Sequence, residues 1–474
     1  MSLEAFLDEA RAIVGVAHVL GDPAQTSGYS VDWTRRFGRP EGAWVVRPGD
    51  ADEVAGLVRA ARSQRVALVP QGGNTGLVGG GVPTRAGEVV VSLRRLAGIE
   101  PVDRLAGQVT VGAGATLAAV QAAARQAGWS FGVDHAARDA ATIGGMVATN
   151  AGGIHVLRHG PMRAQVVGVE AVLGTGSVVA RLAGLVKDNT GYDLAQLLCG
   201  SEGTLGIVTR ARLRLVAAPG ELAVALLGLR SLAAAVGLAA ELRTTVPGVQ
   251  ALEVMAGDSL RRVAAHLGVP PPVAPAAEAF LLVETAGAAS GGPVDPTEDL
   301  AKAVAAAGSP VLDAAVATAR PDRERLWRLR EAHSEAAAAL ASEVGGVVHK
   351  LDVTLPAGEL ARFCDEVVAV VARQWPGAVT LLYGHVGDGN VHVNVVPPAG
   401  DGDAMEDDAI DDAVLGLVVE RGGSVSAEHG IGTAKARWLA RDRSAAEVEA
   451  MRAVKRALDP EGILNPGVLF PERS

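Results

Sequence analysis

Apolar positions recur along this chain in two alternating registers, one run-like and one helical. Residues 44–47 form a short apolar run. Residues 51–61 carry a 3.6-residue periodicity behind Asp50, an N-capping residue, and residues 67–70 form a second run. The pattern predicts a strand, helix, strand opening. A strand at 108–111 and a helix over 117–127 follow. Beyond Pro219 the texture changes. Apolar runs at 223–229, 280–285, 311–317 and 347–353 alternate with helical patterns at 232–243, 297–307 and 358–374. That alternation predicts an antiparallel sheet with helices on one side, a separate domain. A final helical pattern covers 448–458.

Four glycine-rich segments interrupt the first half. The first is Pro70-Gln71-Gly72-Gly73-Asn74-Thr75-Gly76-Leu77-Val78-Gly79-Gly80-Gly81-Val82-Pro83. Successive backbone N–H groups in such loops make anion-binding concavities, and a phosphate is their natural guest. A flexible connector is the alternative, but Leu77, Val78 and Val82 call for burial, which linkers lack. The second, Gly112-Ala113-Gly114, resembles a dinucleotide fingerprint without its third glycine, since Leu117 stands there, and it alone supports a nicotinamide-dependent dehydrogenase. The third runs from Thr142 through Gly144 and Gly145 to Gly153. The fourth runs from Lys187 to Ile207. Four such segments imply an extended ligand wrapped by backbone.

The 474 residues allow two or three domains. A net charge of −10 argues against a nucleic-acid partner and a polybasic membrane anchor. An anionic substrate would then need a locally positive site. Cys199 and Cys364 are the only cysteines, too few for a disulfide framework. The N-terminus is acidic where a secretory signal is basic, so a cytoplasmic location is expected, with peripheral association at the inner membrane left open. Aromatics at 3% disfavour a base-stacking platform. The acidic run Asp401, Asp403, Glu406, Asp407, Asp408, Asp411 and Asp412 reads as a solvated loop and helix start.

The candidate chemistry lies near the C-terminus. Asp388-Gly389 is a two-residue hairpin signal. A hairpin centred there sets His385 opposite His392, with Cβ atoms roughly 4.5–5.5 Å apart, close enough for both imidazoles to reach one cation. Asn394 shares the face of His392, and Glu428 of Glu428-His429-Gly430 can add an oxygen. A polar cross-strand pair without metal fits the same spacing. A metal-dependent hydrolase or a metal-binding module would also use it, but would leave the glycine segments unexplained.

With these segments in this order, the chain resembles the vanillyl-alcohol-oxidase-like flavoproteins, and among them the FAD-linked D-2-hydroxy-acid dehydrogenases, from about Asp32 to Gly467. The resemblance implies an α+β fold. A two-lobed FAD-binding domain would span 1–218, an antiparallel-sheet substrate (cap) domain 219–424, and a C-terminal helical segment, 425–474, would return to the FAD domain. It assigns the FAD pyrophosphate to the backbone of Gln71, Gly72, Gly73, Asn74, Thr75 and Gly76. The rest of the cofactor falls to Asp134, Thr142, Gly144, Gly145, Thr149, Asn150, Gly153, Ile207 and Asn465. Asn74 stands where covalently flavinylated relatives have histidine, so FAD is expected to be non-covalent. The stretch Asp134-His135-Ala136-Ala137 departs from the family pattern.

The resemblance also makes His385, His392 and Glu428 ligands of a divalent metal, zinc foremost with manganese or iron compatible, and His429 the catalytic base. Arg330, Ser334, Lys350 and Asn394 would hold the substrate, with Ser334 replacing a commoner threonine. The implied reaction is oxidation of a small anionic D-2-hydroxy acid, D-2-hydroxyglutarate or D-lactate with glycolate as the alternative. The electron acceptor would be a quinone, an electron-transfer flavoprotein, a cytochrome or a partner subunit. A homodimer is the base-rate expectation.

Overall fold

The computed structural model describes residues 2–39, 41–273, 276–287, 295–306, 311–398 and 407–471. Asp401, Asp403 and Glu406 of the acidic run, and Ala307 at the end of a predicted helix, lie outside the described residues. The chain divides into two compact units. The first comprises Met1–Gly153, His159–Ala217 and Glu428–Ser474; the second comprises Ile154–Arg158 and Ala218–Ala427.

The first unit holds two lobes, each with its own sheet and core. In one lobe, Val89–Ser92 pairs in parallel with both Trp44–Val46 and Leu68–Gln71, and Val19–Leu20 adds an antiparallel edge. The predicted helix forms as Ala51–Gln64. Asp50 caps it by accepting the Glu53 N–H at 2.8 Å. Its apolar stripe of Val54, Leu57, Val58 and Ala61 packs with Phe6 and Leu7 of Leu3–Val14. Each fully buried Leu or Phe there is worth roughly 1.5–3 kcal/mol.

The other lobe is an antiparallel sheet of Gln108–Gly112, Gly206–Arg214, Val166–Leu173 and Val178–Ala180. This antiparallel pairing corrects the nicotinamide reading of Gly112-Ala113-Gly114, because a dinucleotide fingerprint needs a parallel strand feeding its helix. The two glycines serve packing instead. A Cβ on Gly112 would overlap the Leu96 carbonyl oxygen, and one on Gly114 that of Leu93.

The C-terminal helix, Ala445–Leu458, carries the chain back into the first lobe. Leu68 donates its N–H to Ile463 O at 2.8 Å, and Asn465 donates to Leu68 O at 2.8 Å. Lys455 Nζ donates to the Thr204 and Leu464 carbonyls and to Asp459, whose buried carboxylate also accepts the Ile463 and Leu464 amides.

The second unit is built on a seven-stranded antiparallel sheet. Its order is Val311–Ala317, Leu222–Leu229, Ala279–Ala286, Val249–Ala256, Val379–Gly384, Asn390–Val396 and His349–Thr354. Gly257–Leu267 and Arg320–Glu331 bury Leu260, Leu326 and Trp327 against Leu226, Met255, Phe280 and Leu282. Leu232–Thr245 packs on the same strands, and every residue of Ala279–Ala286 is buried. Helices therefore cover both faces, correcting the one-sided layering expected from sequence. A strand apolar at every position, as 280–283 is, needs cover on both sides. Asp411 of the acidic run pairs with the buried His349 at 2.8 Å, so it does not stand simply in solvent.

Candidate active site

In the first unit the glycine segments converge. Gly72 faces Thr142, whose hydroxyl a Cβ on Gly72 would overlap, and Gly73 lies against the Ala140 carbonyl. Gly144 donates its N–H to Ala113 O at 2.8 Å and approaches Ala113 so closely that a side chain is excluded. Gly145 lies beside Thr142, Thr149 Oγ1 donates to Gly145 O at 3.0 Å, and Ile207 is buried in the strand Gly206–Arg214. The 71–76 loop and the 142–149 segment thus present backbone to a common surface. Thr75 and Gly76 complete that loop, with Gly76 exposed.

Several predicted cofactor residues hold the loops themselves. Gln71 Nε2 donates to Tyr29 O and Gly81 O, bridging the base of its loop. Asn74 takes a left-handed φ of 57° and donates to Gly28 O and Val31 O. Asn150, φ 52°, ends its helix and accepts from the Arg163 N–H. Asp134 receives Gln121 and a two-pronged contact from Arg138, while Gly153, φ 136°, lies against its carbonyl. Asn465 Nδ2 donates to Gly80 O and Glu202 O, each at 2.7 Å.

Thr142 Oγ1 is buried with no hydrogen-bond partner among the described residues. A buried hydroxyl left this way calls for a ligand or water. Beside side-chain-free loops, it fits an acceptor-rich cofactor such as FAD.

The loop carrying Glu428 and His429 belongs to this unit, and Glu202 fixes it. The buried Glu202 carboxylate accepts the Ile431 N–H at 2.8 Å and the Gly432 N–H at 2.7 Å. Gly430 and Gly432 have φ of 84° and 54°, conformations that admit glycine readily. Burial pushes the Glu202 carboxyl up, opposed by those two amides and by Lys435. The Glu202 backbone donates to Ala148 O, so one residue links the cofactor loops to the loop of His429.

In the second unit the histidine connection differs from the predicted hairpin. Gly389 alone is left-handed, at φ 83°, and Val386–Asp388 forms a 3-10 turn. Five residues, 385–389, therefore join the strands where two were expected. The register follows: His392 faces Tyr383 on one side and Asp352 on the other, and His385 sits at the turn's entrance. The imidazoles still meet nearly perpendicular, with centroids 5.4 Å apart.

Each imidazole is matched to a buried carboxylate. His385 Nδ1 lies 2.6 Å from Glu253 Oε1, and His392 Nδ1 lies 3.4 Å from Asp352 Oδ1. A carboxylate on Nδ1 holds the proton there and leaves Nε2 as the donor atom, the arrangement characteristic of metal-bound histidine. Imidazole nitrogens presented in this way are a chemistry that divalent cations accept.

The same face carries the predicted substrate groups. Lys350 pairs across the ladder with Asn394, and burial lowers its ammonium to about 8. Arg330 Nε donates to Glu253 Oε2 at 2.6 Å, and its guanidinium lies 4.8 Å from the Tyr383 ring centroid. Asn394 Nδ2 donates to the Tyr383 hydroxyl at 3.2 Å, and that hydroxyl also shares a hydrogen bond with Ser334 Oγ at 2.9 Å.

Sequence reasoning missed Glu253 and Tyr383. Glu253 is held at about 2, its burial outweighed by His385 and Arg330. Its signal was present, an acid isolated in the apolar run Val249–Ala256. Tyr383 became visible only with the corrected register. His333, stacked beside it, is pushed down to about 3, by burial first and by Arg330 second, and stays neutral.

A glycine-lined cradle in one unit and a histidine–carboxylate sheet face in the other define a flavin-dependent oxidoreductase. Residues 42–180 match the FAD binding domain family, and residues 218–469 match the FAD linked oxidases, C-terminal domain. The chain is 38% identical to the D-2-hydroxyglutarate dehydrogenase of Xanthomonas citri pv. viticola, over 95% of this chain and 93% of that protein. It is 33% identical to that of Stutzerimonas stutzeri, over 99% and 100% of the two chains. With the mitochondrial D-2-hydroxyglutarate dehydrogenase of Bos taurus it shares 35%, over 96% and 81%. The chain belongs to the FAD-linked oxidases, in the D-2-hydroxy-acid dehydrogenase group of the vanillyl-alcohol-oxidase-like flavoproteins. Among solved structures, p-cresol methylhydroxylase matches with a TM-score of 0.78 at 16% identity, over 99% of this chain and 97% of that one, a likeness of fold. Among the described residues no helix is long and apolar enough to cross a membrane.

Proposed function

We propose that this enzyme oxidises D-2-hydroxyglutarate to 2-oxoglutarate, using non-covalent FAD and a divalent cation, zinc foremost. The observation that carries this reading is the group of polar residues set in an apolar sheet, where Glu253 joins His385 to Arg330 and His392, Asn394 and Lys350 lie on the paired strands. The names of the bacterial and mitochondrial relatives support the substrate.

His385, His392 and Glu428 would hold the cation, and the residues from Gln71 to Gly76 with Thr142, Gly144 and Gly145 would hold FAD. The chemistry these bound groups supply is uptake of the C2 hydrogen with its electron pair by FAD, and Lewis acidity toward the substrate hydroxyl by the cation. His429 takes the hydroxyl proton, a task suited to imidazole near neutral pH. Arg330 and Lys350 neutralise the carboxylates, and two cations suit a diacid in a chain of net charge −10. Asn394 and Ser334, joined through Tyr383, orient the substrate. Electrons leave to an acceptor outside the chain: a quinone, an electron-transfer flavoprotein, a cytochrome or a partner subunit.

Anaerobic spectra of the FAD-loaded protein test this. D-2-hydroxyglutarate should bleach the flavin band faster than D-lactate or glycolate, and a chelator should block bleaching. His429→Asn should retain FAD and metal while bleaching at least about a hundred-fold more slowly. Bleaching that survives metal removal would sink the metal's role; faster bleaching by D-lactate would replace the substrate.

A further inference from the structure

Glu253 touches both a proposed metal ligand and a proposed substrate cation. Its side chain is 1% exposed, on the strand Val249–Ala256, and its two oxygens are divided: Oε1 faces His385 Nδ1 and Oε2 accepts from Arg330 Nε, each at 2.6 Å. The Arg330 guanidinium also lies 4.8 Å from the Tyr383 ring centroid, so it meets both a carboxylate and an aromatic ring. His385 sits at the entrance of an irregular turn, and Glu253 meets its imidazole at Nδ1.

We propose that Glu253 is a positioning residue that couples cation binding at His385 to substrate-carboxylate binding at Arg330. The inference rests on the metal and substrate roles proposed above. One carboxylate serves an imidazole N–H and a guanidinium, so its charge is shared. With Arg330 in place, Glu253 is a weaker partner for His385; without Arg330, its full charge acts on the imidazole and strengthens Nε2 as a ligand. Conversely, a cation on His385 polarises Nδ1–H toward Glu253 and draws charge from Arg330, leaving the guanidinium more attractive to substrate carboxylate. The two sites then change each other's affinity by one common factor.

The test uses the FAD-loaded enzyme and zinc as the probe, with zinc affinity measured by competition against a chelating dye. Wild type should bind one zinc that His392→Ala loses. Glu253→Gln should weaken zinc by about 10- to 100-fold and raise KM for D-2-hydroxyglutarate. Arg330→Gln should tighten zinc several-fold in the wild-type background and leave it unchanged in the Glu253→Gln background, a reversal that a purely structural role for Glu253 does not produce. Equal zinc affinity in Glu253→Gln and wild type, or an Arg330→Gln effect of the same size in both backgrounds, overturns the coupling while leaving the metal site intact. A wild type that binds no zinc overturns the metal reading and this inference together. If Glu253→Gln fails to retain FAD, Arg330→Gln decides alone: tighter zinc supports the coupling, and unchanged zinc refutes it.

Discussion

Replacing Gly73 with alanine should weaken FAD binding, whereas the same change three residues on, at Gly76, isolates what the cofactor itself requires. A Cβ on Gly73 would overlap the Ala140 carbonyl oxygen and stand 2.8 Å from its carbon and 3.1 Å from Ala141 Cα. Both obstacles are backbone, and Ala141 is tied by its N–H to Ala137 O and by its carbonyl to the Leu117 N–H. The 71–76 loop must therefore move away from the 140–145 segment. Overpacking of this kind costs about 1–3 kcal/mol. Taken from cofactor binding, that is about 5- to 150-fold in the FAD dissociation constant. At Gly76 a Cβ meets no atom of the described residues within 4 Å beyond its chain neighbours, and φ is not positive, so apo-protein stability should hold or rise slightly. Any loss of FAD in Gly76→Ala then reports close approach by the cofactor. The assay is flavin-fluorescence titration of apo-protein, alongside thermal melting without FAD. A Gly73→Ala protein binding FAD within two-fold of wild type would refute the argument that this loop's path is fixed by backbone contact.

Three further outcomes follow from the same structure. Lys350 has a folded-state value, about 8, below its ordinary one. Its charge is therefore lost as pH rises through about 8, so kcat/KM for D-2-hydroxyglutarate should fall above that pH; Lys350→Arg should abolish this limb, and an unchanged profile would remove Lys350 from substrate binding. Between about 8 and the unfolded value the folded state binds fewer protons, so this group adds stability as pH rises there. Glu202→Ala strips the Ile431 and Gly432 amides of their acceptor, a loss of about 1–3 kcal/mol for a buried donor; hydrogen exchange at those amides should accelerate and flavin reduction slow with FAD retained, and unaltered exchange would dismiss Glu202 as the anchor. Asp459→Ala leaves the Lys455 ammonium without its carboxylate in a mostly buried setting and should destabilise the first unit by about 3–5 kcal/mol, read as a lowered denaturant midpoint.

Local chemistry alone determined a good part of this protein. The cap of Asp50, the apolar stripe of the helix it opens, and the strands around 223–229 and 280–285 depend on neighbours close in sequence, so they were legible there. Motifs legible in the same way identified the family and its FAD binding domain. Other features depended on partners remote in sequence. Whether Gln108–Gly112 sits in a parallel or an antiparallel sheet is decided by Gly206–Arg214, about a hundred residues on, and that pairing removed the nicotinamide alternative. The turn after His385 could have been two residues or five, and cross-strand pairing with Asp352 and Tyr383 chose the longer one. Glu253 was the starkest case. An acid in an apolar strand announces only that it must be paired, and the identity of its partners, His385 more than a hundred positions away and Arg330, exists only once the sheet and its helices are packed. A buried charge is satisfied by groups brought to it in space, which periodicity along the chain does not encode.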